Sequence, residues 1–549
     1  MNQQTRPRSR LGQRSAAGFV ALATIALAAS PVMAAGPSVA TGPSTTTSPY
    51  VLPVADGVRI TSLLTVGDAR AARNGYEMVG IPDGLGLTKE RGRTILFMNH
   101  ELRRTQGIER RHGEIGAFVA RLVINPRTLA VTHGSDLIDP GVRYWDYPNG
   151  DYVTSGPRFA DLAEQGTAFG RFCSGTLSDR GVLFNERTGR GYRGQLWFGN
   201  EEDGDNGRTF GVTTDGQATA LPRLGLLQWE NTVPADNRSD TTLVMGQEDG
   251  PSDASQLWAY VGTKQRSGSP VSRAGLTSGL NYVFDAVNAS VTTDAEWRVA
   301  YPKGVPGEVS LVNIPWSQTG ADQNVQALAQ GLSLNRVEDG HWDPNNPNDF
   351  YFLTTEGSQM VDAGLDSRDG GGLWRLSFEN IEKPLAGATL TLLLDGSESL
   401  GSGESKMNKP DNMTIDTHGN LLIQEDPGRV NHIARIVAYR IHDGALGVVA
   451  RFDAALFGPG ATEDPNRLTI DEESSGIIDA ERQLGKGMFV FDAQVHTAKG
   501  LPTGTGEDTV QEYVERGQLL VMKVRNWARI YGNTAPTPIP TPTPTPSPT

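Results

Sequence analysis

The sequence contains one cysteine and eight histidines in 549 residues. A single cysteine excludes any disulfide within the chain, so a stable fold must depend on core size or on bound metal. Aromatic residues make up 7% of the chain and hydrophobic residues 37%, alongside 65 glycines. This composition disfavours helical bundles and coiled coils and favours many short strands joined by turns.

Several familiar catalytic signatures are also missing. The sequence has no G-x-S-x-G nucleophile elbow, no H-E-x-x-H zinc helix and no G-x-x-x-x-G-K-[ST] phosphate loop. The 63 acidic residues outnumber the 49 basic ones, which gives a formal charge of −14. Such an excess of acids argues against a nucleic-acid partner. Metal-assisted chemistry is the class that remains.

The first 34 residues have the features of an export signal. Four arginines precede an apolar run at 16–29, and Val32-Met33-Ala34 forms a small-residue cleavage site. Fourteen apolar residues are too few to span about 30 Å of hydrocarbon. We therefore expect a cleaved signal peptide (1–34) and no stable membrane span after its removal. The signal has no adjacent arginine pair, which favours the general secretory route and a secreted or periplasmic protein.

Two low-complexity stretches flank the body of the chain. Residues 35–49 are polar and rich in Ser, Thr and Pro, which predicts a flexible linker. Seven of the last fourteen residues are Pro, alternating mostly with Thr. That pattern favours an extended spacer and predicts a disordered tail (532–549). The folded domain is accordingly expected over residues 50–531.

Within 50–531, short apolar runs bounded by turn residues predict an all-β fold. Six times, a strand that ends in acidic or amide residues is followed by a polar gap and a second apolar strand. The first strands are 95–101, 195–204, 242–250, 350–357, 420–428 and 488–496. Their partners are 116–124, 208–216, 255–262, 371–378, 434–441 and 518–525. Six pairs without strict spacing predict a six-bladed β-propeller with long loop insertions.

The inner strands of a propeller converge on one channel, so the polar ends of such strands meet at one mouth. Carboxylate and amide oxygens suit hard cations, chiefly Ca²⁺, which takes about 6 to 8 oxygen ligands. The alternative is that these acids only begin solvated turns. The candidate ligands are Asn99, Glu101, Glu201, Glu202, Glu248, Asp249, Glu338, Asp339, Asp411, Asn412, Glu425, Asp426 and Glu473.

Arg336 and Cys173 are two further candidates. Arg336 lies two residues before Glu338, where it is either a phosphate ligand or a simple surface ion pair. Cys173 precedes a Ser-Gly turn and an acidic strand. It is either a small buried hydrophobe or a thiolate ligand for a metal softer than Ca²⁺, such as iron or zinc.

A set of short motifs occurs in a fixed order between Ile95 and His496. They are Phe97-Met98-Asn99-His100-Glu101, Cys173-Ser174-Gly175, Glu201-Glu202, Trp229-Glu230, Gly246-Gln247-Glu248-Asp249, Arg336-Val337-Glu338, Pro410-Asp411-Asn412, Glu425-Asp426, Glu473-Ser474-Ser475-Gly476 and Gln494-Val495-His496. In these motifs the sequence resembles the PhoX-type alkaline phosphatases, a family of exported enzymes.

The resemblance implies a six-bladed propeller that hydrolyses small phosphate monoesters at an iron pair (Fe³⁺) with several Ca²⁺ ions around a bridging oxygen. It implies that Cys173, Glu230 and Glu338 bind iron and that Arg336 contacts phosphate. The remaining acids and Asn412 are then Ca²⁺ ligands. We also expect a monomer.

Two other functions stay open from the sequence. One is a noncatalytic surface propeller that uses Ca²⁺ for rigidity, and the other is a different metal-dependent hydrolase, such as a lactonase or phosphodiesterase. Geometry discriminates between an enzyme and a structural propeller. Convergence of Cys173, Glu230, Arg336 and Glu338 at one channel mouth favours an enzyme, whereas scattered acids favour structural Ca²⁺.

Overall fold

The computed structural model describes residues 36–154, 167–357, 370–401, 403–458 and 464–532. The predicted signal peptide (1–34) and, except for Gly532, the predicted tail (532–549) lie outside the described residues. No helix among the described residues is long and apolar enough to cross a membrane.

The described residues form 31 strands and six short α-helices. The strands of the first half are β1 (Ser38–Thr41), β2 (Val51–Pro53), β3 (Val58–Thr65), β4 (Pro82–Glu90), β5 (Arg93–His100), β6 (Phe118–Ile124), β7 (Val131–Asp136), β8 (Arg143–Asp146), β9 (Asp151–Thr154), β10 (Phe172–Leu177), β11 (Phe184–Asn185), β12 (Arg190–Gly191), β13 (Leu196–Glu201), β14 (Thr209–Thr213), β15 (Ala218–Ala220) and β16 (Trp229–Pro234). Those of the second half are β17 (Thr241–Glu248), β18 (Leu257–Thr263), β19 (Leu280–Ala286), β20 (Gly307–Ile314), β21 (Val337–Trp342), β22 (Asp349–Thr354), β23 (Gly372–Phe378), β24 (Ala388–Leu394), β25 (Pro410–Ile415), β26 (Asn420–Glu425), β27 (Arg435–Arg440), β28 (Ala445–Phe452), β29 (Glu472–Asp479), β30 (Met488–Val495) and β31 (Arg516–Val524). The helices are α1 (Pro270–Arg273), α2 (Asp294–Ala300), α3 (Gly320–Gln330), α4 (Glu481–Leu484), α5 (Val510–Tyr513) and α6 (Trp527–Ile530).

Six innermost strands form a closed ring around the channel. They are β4, β10, β16, β21, β25 and β29; each contacts the next, and β29 returns to β4. From each one, antiparallel strands extend outward in six groups that we call sectors 1 to 6: β4–β7; β10 and β13–β15; β16–β19; β21–β24; β25–β28; and β29–β31 with β3. The predicted all-β propeller is confirmed. The count of six blades stays a prediction, because β20 pairs with β24 and joins sectors 3 and 4 into one nine-stranded sheet.

The hydrophobic core lies between neighbouring sectors. Each of the six buried apolar clusters draws on two sectors that adjoin in the ring. Trp197, Trp258 and Trp374 are fully buried there. Because adjacent residues of a strand point to opposite faces, each second strand supplies two interfaces at once. In β13, for example, Trp197 packs towards sector 1 and Phe198 towards sector 3.

The predicted strand pairs are confirmed, but they are the second and third strands of each sector. In sector 1, for instance, Asn99 of β5 lies opposite Val119 of β6. The propeller prediction had placed the acid-ended strands innermost. In the structure they are the second strand of each sector. The innermost strands lack the hydrophobic pattern because polar residues interrupt them, as in FCSGTL (β10) and EESSGIID (β29).

The predicted flexible linker (35–49) is wrong for the described residues 36–49. β1 pairs in parallel with β3, and β3 pairs with β31 to complete sector 6. The Ser/Thr-rich stretch is held by one carboxylate. Asp68 accepts hydrogen bonds from the backbone amides of Thr46 (2.8 Å) and Thr47 (3.0 Å) and from the hydroxyls of Thr45, Thr46 and Thr47. A polar composition indicates disorder only where no such partner exists.

We expect Asp68→Ala to release this segment and to destabilise the closure of the ring. Loss of hydrogen bonds to a charged acceptor costs about 2 kcal/mol, which a lower urea midpoint of unfolding measures. Asp56→Asn, which alters an exposed acid of the same region, is the matched control. Equal urea midpoints for the two variants would contradict the role of Asp68.

Candidate functional site

One titratable side chain occupies the second position of every innermost strand. We call this set the inner ring: Asp83, Cys173, Glu230, Glu338, Asp411 and Glu473. All but Asp83 line a single cavity of about 490 Å³. Ligand atoms of Asp83, Cys173 and Glu101 lie within 4.8 Å of one another, and so do those of Glu230, Glu338 and Asp411. The ring thus offers two groups that can hold a metal ion.

Backbone irregularities aim the inner ring at the channel. In five innermost strands the pairing register shifts across the ring position, as between Phe172 and Gly175 around Cys173. A β-bulge of this kind re-aims a side chain and is common beside active sites. The packing at the bulges is tight, since a Cβ atom on Gly84 would lie 2.0 Å from the amide nitrogen of Gly175. The sequence therefore needs glycine at that point.

A second set of side chains follows the end of each second strand, and we call it the outer ring. Its members are Glu101, Glu202, Asp249, Thr355, Asp426 and His496. The four acids of this set all line the same cavity. Two carboxylate sets from six sectors thus meet at one mouth of the channel.

Three outer-ring residues are preceded by an acid that faces the other way. Glu201, Glu248 and Glu425 are the last residues of β13, β17 and β26, and none of them lines the cavity. Successive side chains of a strand point to opposite faces. In each Glu-Glu or Glu-Asp pair, the second acid faces the channel and the first faces the interior of its sector.

The three acids that face the interior of their sectors, and not the channel, bind other side chains of the protein. Glu201 accepts hydrogen bonds from Arg208 Nε (2.6 Å) and Nη2 (2.7 Å). Glu425 binds Arg435, and although burial raises its pKa, Arg435 and a neighbouring histidine outweigh that effect and lower it to about 2. Glu248 accepts a bond from the indole of Trp258 (2.8 Å), while burial raises its pKa to about 7. The structure does not bring these three predicted ligands to the cavity.

The two predicted amide ligands are buried directly behind the ring. Asn99 Nδ2 donates to the carbonyl of Cys173 (2.8 Å), and Asn412 Nδ2 approaches Ser174 Oγ (3.3 Å) and Asp83 Oδ1 (3.5 Å). Neither amide oxygen has a hydrogen-bond partner among the described residues. Asp339 is held by Asn231 (2.7 Å) and does not line the cavity.

Burial strongly disfavours ionisation of five groups of the inner ring. It raises the pKa of Asp83, Glu230, Glu338 and Asp411 well above the usual range, and neighbouring carboxylates raise them further. Burial, then Glu101 and Glu230, do the same to the pKa of the Cys173 thiol. Crowded acids with unpartnered oxygens fit a multi-cation site, because bound cations offset their mutual repulsion. The donor set is oxygen-rich with one sulfur.

Two arginines supply the positive charge of the cavity. Arg336 binds Asp249 through two parallel hydrogen bonds of 2.9 Å, so Asp249 anchors an arginine. Arg171, which the sequence analysis missed, binds Glu101 (2.8 Å) and forms an ion pair with Glu202. Both arginines line the cavity.

Asp83 was also missed, because Pro82-Asp83-Gly84 is a typical turn sequence. The available signal was its similarity to Pro410-Asp411-Asn412, which occupies the same place at the start of another innermost strand.

The structure has the convergence of side chains that favours an enzyme over a structural propeller. Cys173, Glu230, Arg336 and Glu338 line one cavity at one mouth of the channel. Residues 212–481 match the family model described as Alkaline phosphatase PhoX.

Residues 212–481 belong to the PhoX family.

One solved structure agrees with this match at the level of the fold. The chain is similar to Pseudomonas fluorescens PhoX in complex with vanadate, a transition state analogue, with 12% identity and a TM-score of 0.57 over 88% of this chain and 97% of that one. A subtype N11 neuraminidase-like protein of a flat-faced bat strain (H18N11) matches with 8% identity and a TM-score of 0.33, over 84% of this chain and 94% of that one. No curated protein sequence matches the chain significantly.

The adjacent acids Glu201 and Glu202 test whether the first side chain faces the interior of its sector and the second faces the channel. Glu201→Gln leaves the buried Arg208 without its counter-charge, which costs about 3 kcal/mol, and we expect a lower urea midpoint in chelator. Glu202→Gln removes a repelling acid of the outer ring, so we expect an equal or higher midpoint but less bound metal. Equal loss of stability in both variants would show that the two side chains do not differ in this way.

The raised pKa values also predict how the stability of the metal-free protein responds to pH. Burial raises the pKa of Glu202 to about 8 and that of Asp426 to about 7. The folded state therefore binds more protons than the unfolded state between about pH 4 and pH 8, and stability falls as pH rises through that window. Thermal unfolding after dialysis against chelator measures this fall. Glu202→Gln should make it shallower, and a melting temperature that rises with pH would contradict the prediction.

Proposed function

We propose that the chain is an exported phosphatase that hydrolyses phosphate monoesters at a calcium and iron site in the propeller channel. The observation that carries the proposal is the convergence of a thiol, carboxylates and arginines on one cavity, in a chain whose residues 212–481 belong to an alkaline phosphatase family. A propeller that used Ca²⁺ only for rigidity would not need arginines that face the same cavity as the thiol.

Arg336 is the residue that we assign to the phosphate. Its Nε and Nη2 atoms are held by Asp249, which fixes the plane of the guanidinium. Nearby Glu338 and Asp249 outweigh the effect of burial and raise the pKa of Arg336, so the group stays charged. A fixed guanidinium suits the oxygens of a tetrahedral oxyanion. Vanadate, found in the Pseudomonas fluorescens PhoX complex, is such an oxyanion.

The inner ring and the outer ring are assigned to the metals. Cys173, Glu230 and Glu338 would hold iron, because the thiolate is the one soft donor of the set. Glu101, Glu202, Asp426, Glu473 and the Asp411–Asn412 pair would hold Ca²⁺, with Asp83 as an addition to the predicted set. When bound, such cations supply Lewis-acid chemistry that offsets the charge of the phosphate and of the transition state.

Neighbouring residues fix these ligands before any substrate arrives. Thr355 donates its hydroxyl hydrogen to Glu338, and Arg171 holds Glu101 and Glu202. Asn99 fixes the backbone of Cys173. Ligands that are oriented in advance need little reorganisation during the reaction.

Export and a monomeric state complete the proposal. The apolar run and the cleavage site of residues 1–34 support export. The ring closes within one chain through β3 and β31, so the channel does not need a second copy.

The first experiment is a phosphatase assay with a chromogenic phosphate monoester. We expect turnover by the purified protein loaded with Ca²⁺ and iron, and loss of turnover in a strong chelator. Arg336→Gln should lower kcat/KM by about 100-fold, since it removes a charge-assisted contact to phosphate. No turnover by the loaded protein would refute the phosphatase.

Cys173→Ala tests the thiolate role by metal analysis. We expect iron to be lost and Ca²⁺ to be retained, with a circular dichroism spectrum that stays that of the folded protein. Glu248→Gln, a change at a buried acid outside the cavity lining, is the control and should retain iron. Unchanged iron content in Cys173→Ala would refute the assignment of Cys173 as an iron ligand.

A further inference from the structure

Arg171 and Arg336 occupy equivalent places in the propeller. Arg171 immediately precedes β10, and Arg336 immediately precedes β21, both of which are innermost strands. Both residues have a left-handed backbone, with φ of 32° and 57°. Non-glycine residues in this region are uncommon and cluster at functional sites. The backbone therefore holds two arginines in one strained conformation at the rim of the cavity.

The two side chains are also anchored in the same manner. Each uses its Nε and Nη2 atoms on the outer-ring acid of the preceding sector: Arg171 contacts one oxygen of Glu101, and Arg336 contacts both oxygens of Asp249. Neither Nη1 atom has a hydrogen-bond partner among the described residues. The side chains are 35% and 29% exposed, and both residues line the cavity.

The cavity has to hold the proposed cations together with the substrate. Its volume of about 490 Å³ falls in the range of about 300–1,000 Å³ that is typical of sites for whole small molecules. The described lining residues include no aromatic side chain, so the cavity offers no surface for stacking an aromatic group. Beyond the scissile phosphate, its recognition elements are charged and polar.

We propose that Arg171 forms a second anion subsite, so that the preferred substrates are phosphate monoesters that carry another phosphate or carboxylate on the same molecule. The proposal rests on the proposed phosphatase function. Arg336 binds the scissile phosphate, and Arg171, two sectors away across Gln228 and Glu230, binds the second anion. Sector 3 separates the two guanidinium groups, which gives the site a preference for length as well as for charge.

Glycerol 3-phosphate and 3-phosphoglycerate make a matched pair of substrates, because they differ only in a hydroxymethyl group against a carboxylate. We expect kcat/KM to favour phosphoglycerate by about tenfold in the unaltered protein, the size expected for one charge-assisted contact. Arg171→Gln should bring the ratio of the two kcat/KM values close to one. Arg171→Lys, which keeps the charge but not the planar fork, should retain part of the preference. Arg336→Gln should lower both values together and leave the ratio unchanged.

Arg171 also holds Glu101 and Glu202, so the ratio, and not the activity on either ester alone, is the decisive quantity. Equal kcat/KM values in the unaltered protein, or an Arg171→Gln variant that keeps its preference, would overturn the subsite. Hydrolysis of neither ester would refute the proposed function instead. In that case calorimetric titration with the two esters decides: tighter binding of phosphoglycerate that Arg171→Gln abolishes supports the subsite, and equal binding overturns it.

Discussion

The crowding of buried carboxylates around one channel is the constraint on which the rest of the structure depends. Isolated charges in a low-dielectric interior are costly, and like charges raise one another's pKa. The protein nevertheless places an acid or a thiol at the same position in all six innermost strands. Asn99, Asn412 and the two cavity arginines then orient and partly neutralise these groups. The remaining repulsion makes the site fit for cations.

The propeller meets this constraint with two simple devices. Strand alternation separates each pair of adjacent acids, so that Glu202 serves the channel while Glu201 is satisfied by Arg208 inside its sector. Bulges near the start of the innermost strands then turn the inner ring towards the mouth. Local backbone geometry thereby converts a repeated sequence pattern into a convergent site.

Much of the fold and part of the site follow from the sequence alone. The second and third strands have continuous apolar runs, so their pairing was predictable. The innermost strands have no such run, which left Asp83 hidden in a turn-like sequence. Acid pairs such as Glu425-Asp426 indicate a metal site, but they do not tell which of the two carboxylates faces the channel. The facing direction depends on the residue at which the strand ends. Residues 36–49 are ordered because Asp68 binds Thr45, Thr46 and Thr47. The composition of the segment gives no information about a partner more than 20 residues away.

The pairing of β3 with β31 has a consequence for folding kinetics. It joins segments separated by more than 450 residues, and contacts of such high sequence separation form slowly. The inner ring draws one member from each sector, so its acids gather only after nearly the whole chain has collapsed. Until that closure, each carboxylate stays in water, where it is weakly attractive to metal and does not oppose folding. On this argument the proposed metal centre would be a late product of folding and not its nucleus.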